Sequence, residues 1–246
     1  MAKTYKEIEA ISQIQYFSKS SLDRLYKENF INRIGQTTDT QRCYADIYAE
    51  YINNLPFIEI PQKERNNYKV KSHQNIEKIE IKDTGERERN IAKALVKKRY
   101  ELKGIGIPFD FEIPLSQRED GVGKIDLVAK DDTNRIFYLI ELKDDDSKES
   151  LLRAALEIFT YSKQLNEVQF KGEFILNEYT LKKCIILFKG TEPANMAERL
   201  KDLPNLKKFI SDNQIDIFIF EKPKTDIKLE EIELKLFKAI KHSDNV

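Results

Sequence analysis

The chain has 246 residues, of which 40% are hydrophobic and 10% aromatic, enough to bury a core and to exclude global disorder. Lys plus Arg number 42 and so do Asp plus Glu, so the formal net charge is zero. That disfavours a sequence-independent basic coat for nucleic acid, although an enzyme with a local basic groove stays open.

Two distant cysteines, two histidines and no Gly-rich phosphate loop argue against a disulfide scaffold, a histidine-rich zinc site, a Ser-His-Asp triad and a P-loop. No apolar run approaches the roughly 18 residues of a membrane span, and no secretory signal is visible. The cysteine usage and the lack of a visible signal together favour a reducing cytoplasm.

The first 80 residues read as an N-terminal helical extension. Ser20 and Ser21 can cap a helix to Ile34, stopped by Gly35, and Thr38, Asp39 and Thr40 can cap another to Leu55 before Pro56. From Pro56 to Asp83 the pattern is that of a linker or irregular wrap, with Ile79 to Lys82 as a candidate edge strand. Asp83 or Thr84 can then cap a helix through Leu102, closed by Gly104 and Gly106. Phe109 to Leu115 alternates as a strand. Two further strands follow, over 123–129 and 136–143, joined by a polar turn at Asp131 to Asn134.

Ser147 opens a long helix to Asn166, Cys184 to Phe188 is a wholly apolar strand, Pro193 opens a helix to Ile210, and Ile215 to Phe220 is a last strand. Over Lys228 to Lys241, Leu229, Ile232, Leu236 and Ile240 fall on one helical stripe. It either packs on the core or mediates association with a second copy or a protein partner, as the N-terminal helices also could. The division is thus an extension over 1–80, a core domain over 83–222 and a C-terminal amphipathic helix and tail over 226–246.

The chemistry concentrates on the paired strands. Asp126 interrupts the first, while Glu141 and Lys143 end the second, two apart and so on one face. Ionised groups in a sheet are costly unless paired or bound to a cation. Four Glu-x-Lys tripeptides occur, beginning at Glu80, Glu101, Glu141 and Glu233. Only Glu141 follows an apolar strand run with an aspartate on the strand before it. A structural ion pair between Lys143 and either carboxylate is the plain alternative, yet two carboxylates per lysine leave negative charge that a cation would relieve.

Asp126, Glu141 and Lys143, in the order helix, three strands, helix, strand, resemble the PD-(D/E)xK nuclease superfamily over about 105 residues, from Asp83 to Phe188. The resemblance implies an α/β fold with a restriction-endonuclease-like αβββαβ core, its mixed sheet flanked by helices. It implies Mg²⁺ or Mn²⁺ held by Asp126 and Glu141, with a backbone carbonyl from Leu142, and Lys143 assisting at the scissile phosphate. The proline of the family name is absent, Ile125 standing there.

Many members carry a glutamate on the first helix. Glu88 falls in the stripe of Ile91, Leu95 and Leu102, whereas Glu86 points away and suits a capping box, so Glu88 is the candidate. Some branches show Gln-xxx-Tyr on the following helix. Here Glu157 and Tyr161 hold that spacing, with Glu in place of Gln. Arg87, Arg89, Lys97, Lys98, Arg153 and Lys163 are candidates for positioning phosphates, each also readable as ordinary surface charge. The implied activity is metal-dependent hydrolysis of nucleic acid, DNA foremost. The alternative is a catalytically silent module on the same fold that binds nucleic acid or protein.

Overall fold

The computed structural model describes residues 4–17, 22–55, 60–81, 86–117, 123–223 and 229–242. Helices α1 (Glu7–Phe17) and α2 (Tyr44–Asn53) come first, then α3 (Arg87–Lys98) and strands β1 (Ile107–Pro114), β2 (Lys124–Asp131) and β3 (Ile136–Leu142). There follow α4 (Leu151–Gln164), α5 (Glu167–Phe174), β4 (Thr180–Phe188), α6 (Glu192–Glu198), α7 (Pro204–Asp212), β5 (Ile215–Phe220) and β6 (Leu236–Ile240).

The strands form one mixed sheet in the order β1-β2-β3-β4-β5-β6. β1, β2 and β3 are an antiparallel meander, β4 and β5 add in parallel, and β6 returns antiparallel. The fold class is as expected, an α/β protein with helices on both sides of its sheet and N-terminal helices before it. α4 and α5 supply the crossover that a parallel β3–β4 pair requires.

Alternation sorts the strand residues onto two faces. Phe137, Leu139, Ile185, Leu187, Ile217 and Ile219 pack in the cluster that contains α4 and α2. Tyr138, Ile140, Leu142, Cys184, Ile186 and Phe218 pack in the other, which contains α3. Ala10, Ile14, Tyr44 and Tyr48 belong to the α4-side cluster, so the N-terminal segment is a layer of the same core.

Several expected elements differ. Residues 18–21 lie outside the described ones, so the Ser20–Ser21 cap cannot be placed. Beyond it Leu22–Lys27 is a 3-10 turn and residues 29–32 are turns, where a helix to Ile34 was expected. Asn29 and Asn32 favour turns, and Asn32 uses its Oδ1 to accept the Ser150 N–H at 2.8 Å. α1 was not foreseen, and α2 begins at Tyr44 because Asp39 turns back to the Glu7 and Thr40 N–H groups instead of opening a helix.

Residues 82–85, with Asp83 and Thr84, are outside the described residues. α3 stops at Lys98, not Leu102, where Arg99 turns left-handed with its N–H on the α3 carbonyls. Leu102 instead belongs to a tight turn bridged to Gly106, whose φ is +107°. A Cβ on Gly106 would lie 2.1 Å from the Lys130 carbonyl oxygen. The edge strand expected at Ile79 is missing among residues 79–81, where Lys97 and Lys93 bond the carbonyls of Ile79 and Glu80.

α4 is capped by Ser150 rather than Ser147, its Oγ accepting the Arg153 N–H at 3.1 Å. The helix expected from Pro193 to Ile210 is two, because Pro204 lacks the N–H that a continuous ladder would need. The largest correction is C-terminal. Lys228 lies outside the described residues, and within 229–242 the expected helix is not formed: Leu229–Glu231 is a 3-10 turn and β6 follows, so Ile215–Phe220 is not the last strand. The alternation Ile232, Leu234, Leu236 outweighs the helical stripe, and Leu229, Ile232 and Leu234 are buried on the α3 side.

Candidate active site

β2 and β3 pair as far as Leu127 with Ile140. Beyond that point they part. Ile125 and Lys124 stay with Ile113 and Pro114 of β1, while Glu141 and Leu142 stay with Ile185 and Ile186 of β4. Asp126 and Glu141 are the next residues on either side of the split. The Leu142 N–H, without a strand partner there, is taken by the Asp126 carboxylate at 2.9 Å. A charged residue in a strand thus does the work of the missing ladder bond.

Glu141 lies on the α4 face, as its pairing with Ile185 and the alternation of β3 require. Lys143 follows on that face, its backbone N–H on the Ile186 carbonyl at 3.0 Å. The buried Lys143 ammonium contacts Glu141 at 2.7 Å, Glu157 of α4 at 2.8 Å and Glu149 at 2.9 Å. The other oxygen of Glu141, Oε2, is buried with no nitrogen or hydroxyl donor, and the Glu141 carboxyl lies within hydrogen-bonding reach of Glu157, so that the pair needs a shared proton or a cation between them. An orphaned buried carboxylate oxygen is expensive and calls for a donor or a cation.

On the opposite side, α3 presents Glu88, whose Oε1 accepts the Asp144 N–H at 3.2 Å. Glu88 and Asp126 line a cleft of about 380 Å³ together with Arg87, Arg89, Glu112 and Asp144. Glu86 lines the same cleft but is exposed and paired with Arg89, whereas Glu88 is the more buried of the two. Glu112 sits beside Asp126 in the left-handed region, φ +43°, and takes Arg89 and Lys124 as ion partners.

The electrostatics follow from too many acids around one amine. Burial pushes the Asp126 carboxyl up to about 7, with Glu88 adding to it and Lys143 opposing. Burial, then Asp126 and Glu157, push Glu141 well above the carboxylate range. Burial raises Glu88 too. Burial works against the charge on Glu157, yet Lys143 holds that group low. Burial likewise opposes the charge on Lys143, and the surrounding glutamates keep it protonated.

Tyr161 is buried at the rim, edge-to-face with Tyr26 at 5.5 Å. Its pKa is raised by burial and then by Glu141 and Glu157. Gly123 makes room for it, since a Cβ there would lie 2.0 Å from the Tyr161 hydroxyl. Glu157 therefore reaches the centre of the site and Tyr161 its edge. Leu142 contributes its N–H and a buried side chain.

The proposed basic helpers are mostly engaged elsewhere. Arg87 pairs with Asp145 through both carboxylate oxygens, Arg153 with Glu149, and Lys97 and Lys98 with backbone carbonyls. Lys163 lies over the Phe159 ring. Glu112, Asp145 and Glu149 were not foreseen. Glu149 carried a readable signal, standing just before the α4 cap and eight residues before Glu157, while Glu112 carried none.

Among the described residues, no three acidic, imidazole or thiol groups form a ready-made metal cage. The donor set nonetheless suits Mg²⁺, which binds through one or two carboxylates and keeps several waters. A larger cleft of about 640 Å³ lies between α2 and the α6–α7 turn. Its buried acid, Asp46, is satisfied by the Asn205 and Leu206 N–H groups and serves to cap α7. Comparisons of the chain with protein-family models, with curated proteins and with solved structures return no match.

Proposed function

We propose that this protein is a metal-dependent nuclease of the PD-(D/E)xK kind, hydrolysing phosphodiester bonds of DNA. The observation that carries the reading is the buried Oε2 of Glu141, without a nitrogen or hydroxyl donor, at the split between β2 and β3, beside Asp126 and Lys143. Asp126 and Glu141 would hold the ion, with the Leu142 carbonyl as a further oxygen. When bound, Mg²⁺ or Mn²⁺ supplies positive charge for the scissile phosphate and acidifies water.

The chain's own groups do the rest. Lys143 orients the attacking water or stabilises negative charge on the phosphate, its ammonium kept protonated by its glutamate neighbours. Glu88, on the cleft side, accepts hydrogen bonds from water near Asp126. Glu157 fixes the Lys143 ammonium by a direct hydrogen bond. Tyr161 closes the α4 side against solvent.

The test is cleavage of end-labelled single-stranded, duplex and branched DNA with Mg²⁺ or Mn²⁺. Asp126→Asn and Glu141→Ala are expected to lose roughly 100-fold or more in rate. Wild-type rates in either variant would remove the assignment.

A silent binding module is the second reading, favoured by zero net charge and by the pairing of Arg87 and Arg89 with acids. It predicts no thermal shift with Mg²⁺ or Mn²⁺ that depends on Glu141.

A further inference from the structure

The three carboxylates around Lys143 are not equivalent. Glu157 accepts a hydrogen bond from the ammonium, and Glu141 touches it from within β3. Glu149 is 2.9 Å away, yet its Oε2 has no aligned donor, so charge alone holds it. Side-chain exposure orders them in the same way: 4% for Glu141, 10% for Glu157 and 27% for Glu149.

Glu149 also stands outside the regular elements, one residue before the Ser150 cap. Its other oxygen has a second cation within reach, Arg153 Nη1 at 3.4 Å. Three carboxylates within 2.9 Å leave the ammonium no room for a phosphate oxygen until one of them moves aside. Of the three partners, Glu149 is the one with solvent access, a second partner and no aligned bond to lose.

We propose that Glu149 is a built-in stand-in for the substrate phosphate. In the free protein its carboxylate caps Lys143. A non-bridging oxygen of the bound phosphodiester replaces it, and Glu149 withdraws onto Arg153. The proposal rests on the nuclease reading and adds to it an acidic competitor encoded in the chain. Glu149 is a positioning residue in this scheme, acting through Lys143. The two negative groups exclude each other because one amine cannot hold both in a site already rich in carboxylates.

The test is fluorescence anisotropy of a fluorescein-labelled duplex oligonucleotide, titrated in EDTA so that no cleavage or metal intervenes. Glu149→Gln should bind about tenfold tighter than wild type, the equivalent of one charge-assisted hydrogen bond regained by the phosphate. Removing any acid near DNA reduces repulsion, so Asp146→Asn, an exposed acid three residues before Glu149, is the charge-matched control and should tighten binding by about twofold at most.

Should Glu149→Gln fail to fold, Glu149→Asp retains the charge near Arg153 but shortens the reach to Lys143, and should tighten binding about threefold. Equal tightening in the 149 and 146 variants would overturn the cap. So would unchanged or weaker binding by a folded 149 variant, with wild-type DNA cleavage in Mn²⁺ leaving the nuclease reading intact. A wild type that neither binds nor cleaves DNA removes that reading, and the cap with it.

Discussion

Two buried acid clusters lie in the same sheet and behave in opposite ways. At the start of β5, Asp216 is buried and both of its oxygens are answered. Its Oδ1 accepts the His242 N–H at 3.1 Å and faces the His242 ring at 2.9 Å, and its Oδ2 takes Lys241 at 3.0 Å. Burial opposes its charge, but these donors hold its pKa below the ordinary carboxylate value. At the β2–β3 split, Glu141 shares the Lys143 ammonium with Glu149 and Glu157, Asp126 lies within the field of the same amine, and Asp126 and Glu141 are both pushed up. The first cluster fastens the C-terminal end of β6 to the sheet. The second crowds acids around a single buried amine, and that imbalance is what the proposed site rests on.

The strongest way to break the comparison is to remove the amine from each cluster. Lys143→Met leaves buried carboxylates around a methyl group and should cost about 3–5 kcal/mol at pH 8, read by urea unfolding in EDTA. The loss should shrink at pH 5.5, where the acids can take up protons. Lys241→Met should cost under about 1 kcal/mol, since that lysine is partly exposed and Asp216 keeps His242. Similar costs for both lysines would erase the distinction.

Neutralising the acids should separate the clusters next. Asp216→Asn loses charged hydrogen bonds and should cost about 2 kcal/mol. Glu141→Gln should change stability in EDTA by less than about 1 kcal/mol, because burial already favours the neutral acid there. A large loss in the 141 variant would show a structural ion pair after all.

The pH dependence has opposite sign at the two places. Asp126 binds a proton in the folded state that the unfolded chain has released, so its stabilising contribution is full below about pH 4 and is lost as pH rises through about 7. Asp216, held low, contributes above about pH 4 and loses that contribution as pH falls through its depressed pKa. In EDTA the Tm difference between wild type and Asp126→Asn should therefore move against wild type between pH 5 and 8. Asp216→Asn should converge on wild type only at lower pH. No change across pH 5 to 8 in the first pair would contradict the overcharged site.

What could be read from the chain follows the range of the interactions. β2 and β3 were legible because alternation is local, and Asp126, Glu141 and Lys143 stood out because charge violates that alternation. Glu88 was separable from Glu86 by helical phase alone. The C-terminal stretch misled because Leu229, Ile232, Leu236 and Ile240 fit a helix while Ile232, Leu234 and Leu236 fit a strand. Only the free edge of β5 decides between them, and that is a tertiary fact. Glu149 and the Tyr26–Tyr161 contact depend on how the N-terminal segment lies against α4, which no local period encodes.

That segment supplies the smallest expected effect and the sharpest probe of how the site is held. Ser150 caps α4 with its Oγ, donates that hydroxyl to the Ile31 carbonyl at 2.6 Å, and gives its N–H to Asn32. Ser150→Ala should cost about 1 kcal/mol as a lost N-cap. If the contacts to Ile31 and Asn32 also fix the residue before the cap, the substitution should free Glu149 from Lys143 and tighten oligonucleotide binding in EDTA despite lowering Tm. Asn32→Ala should do the same through its own bond to Ser150. A loss of stability with weaker or unchanged binding in both variants would mean that the N-terminal segment only packs against α4 and does not set the position of Glu149.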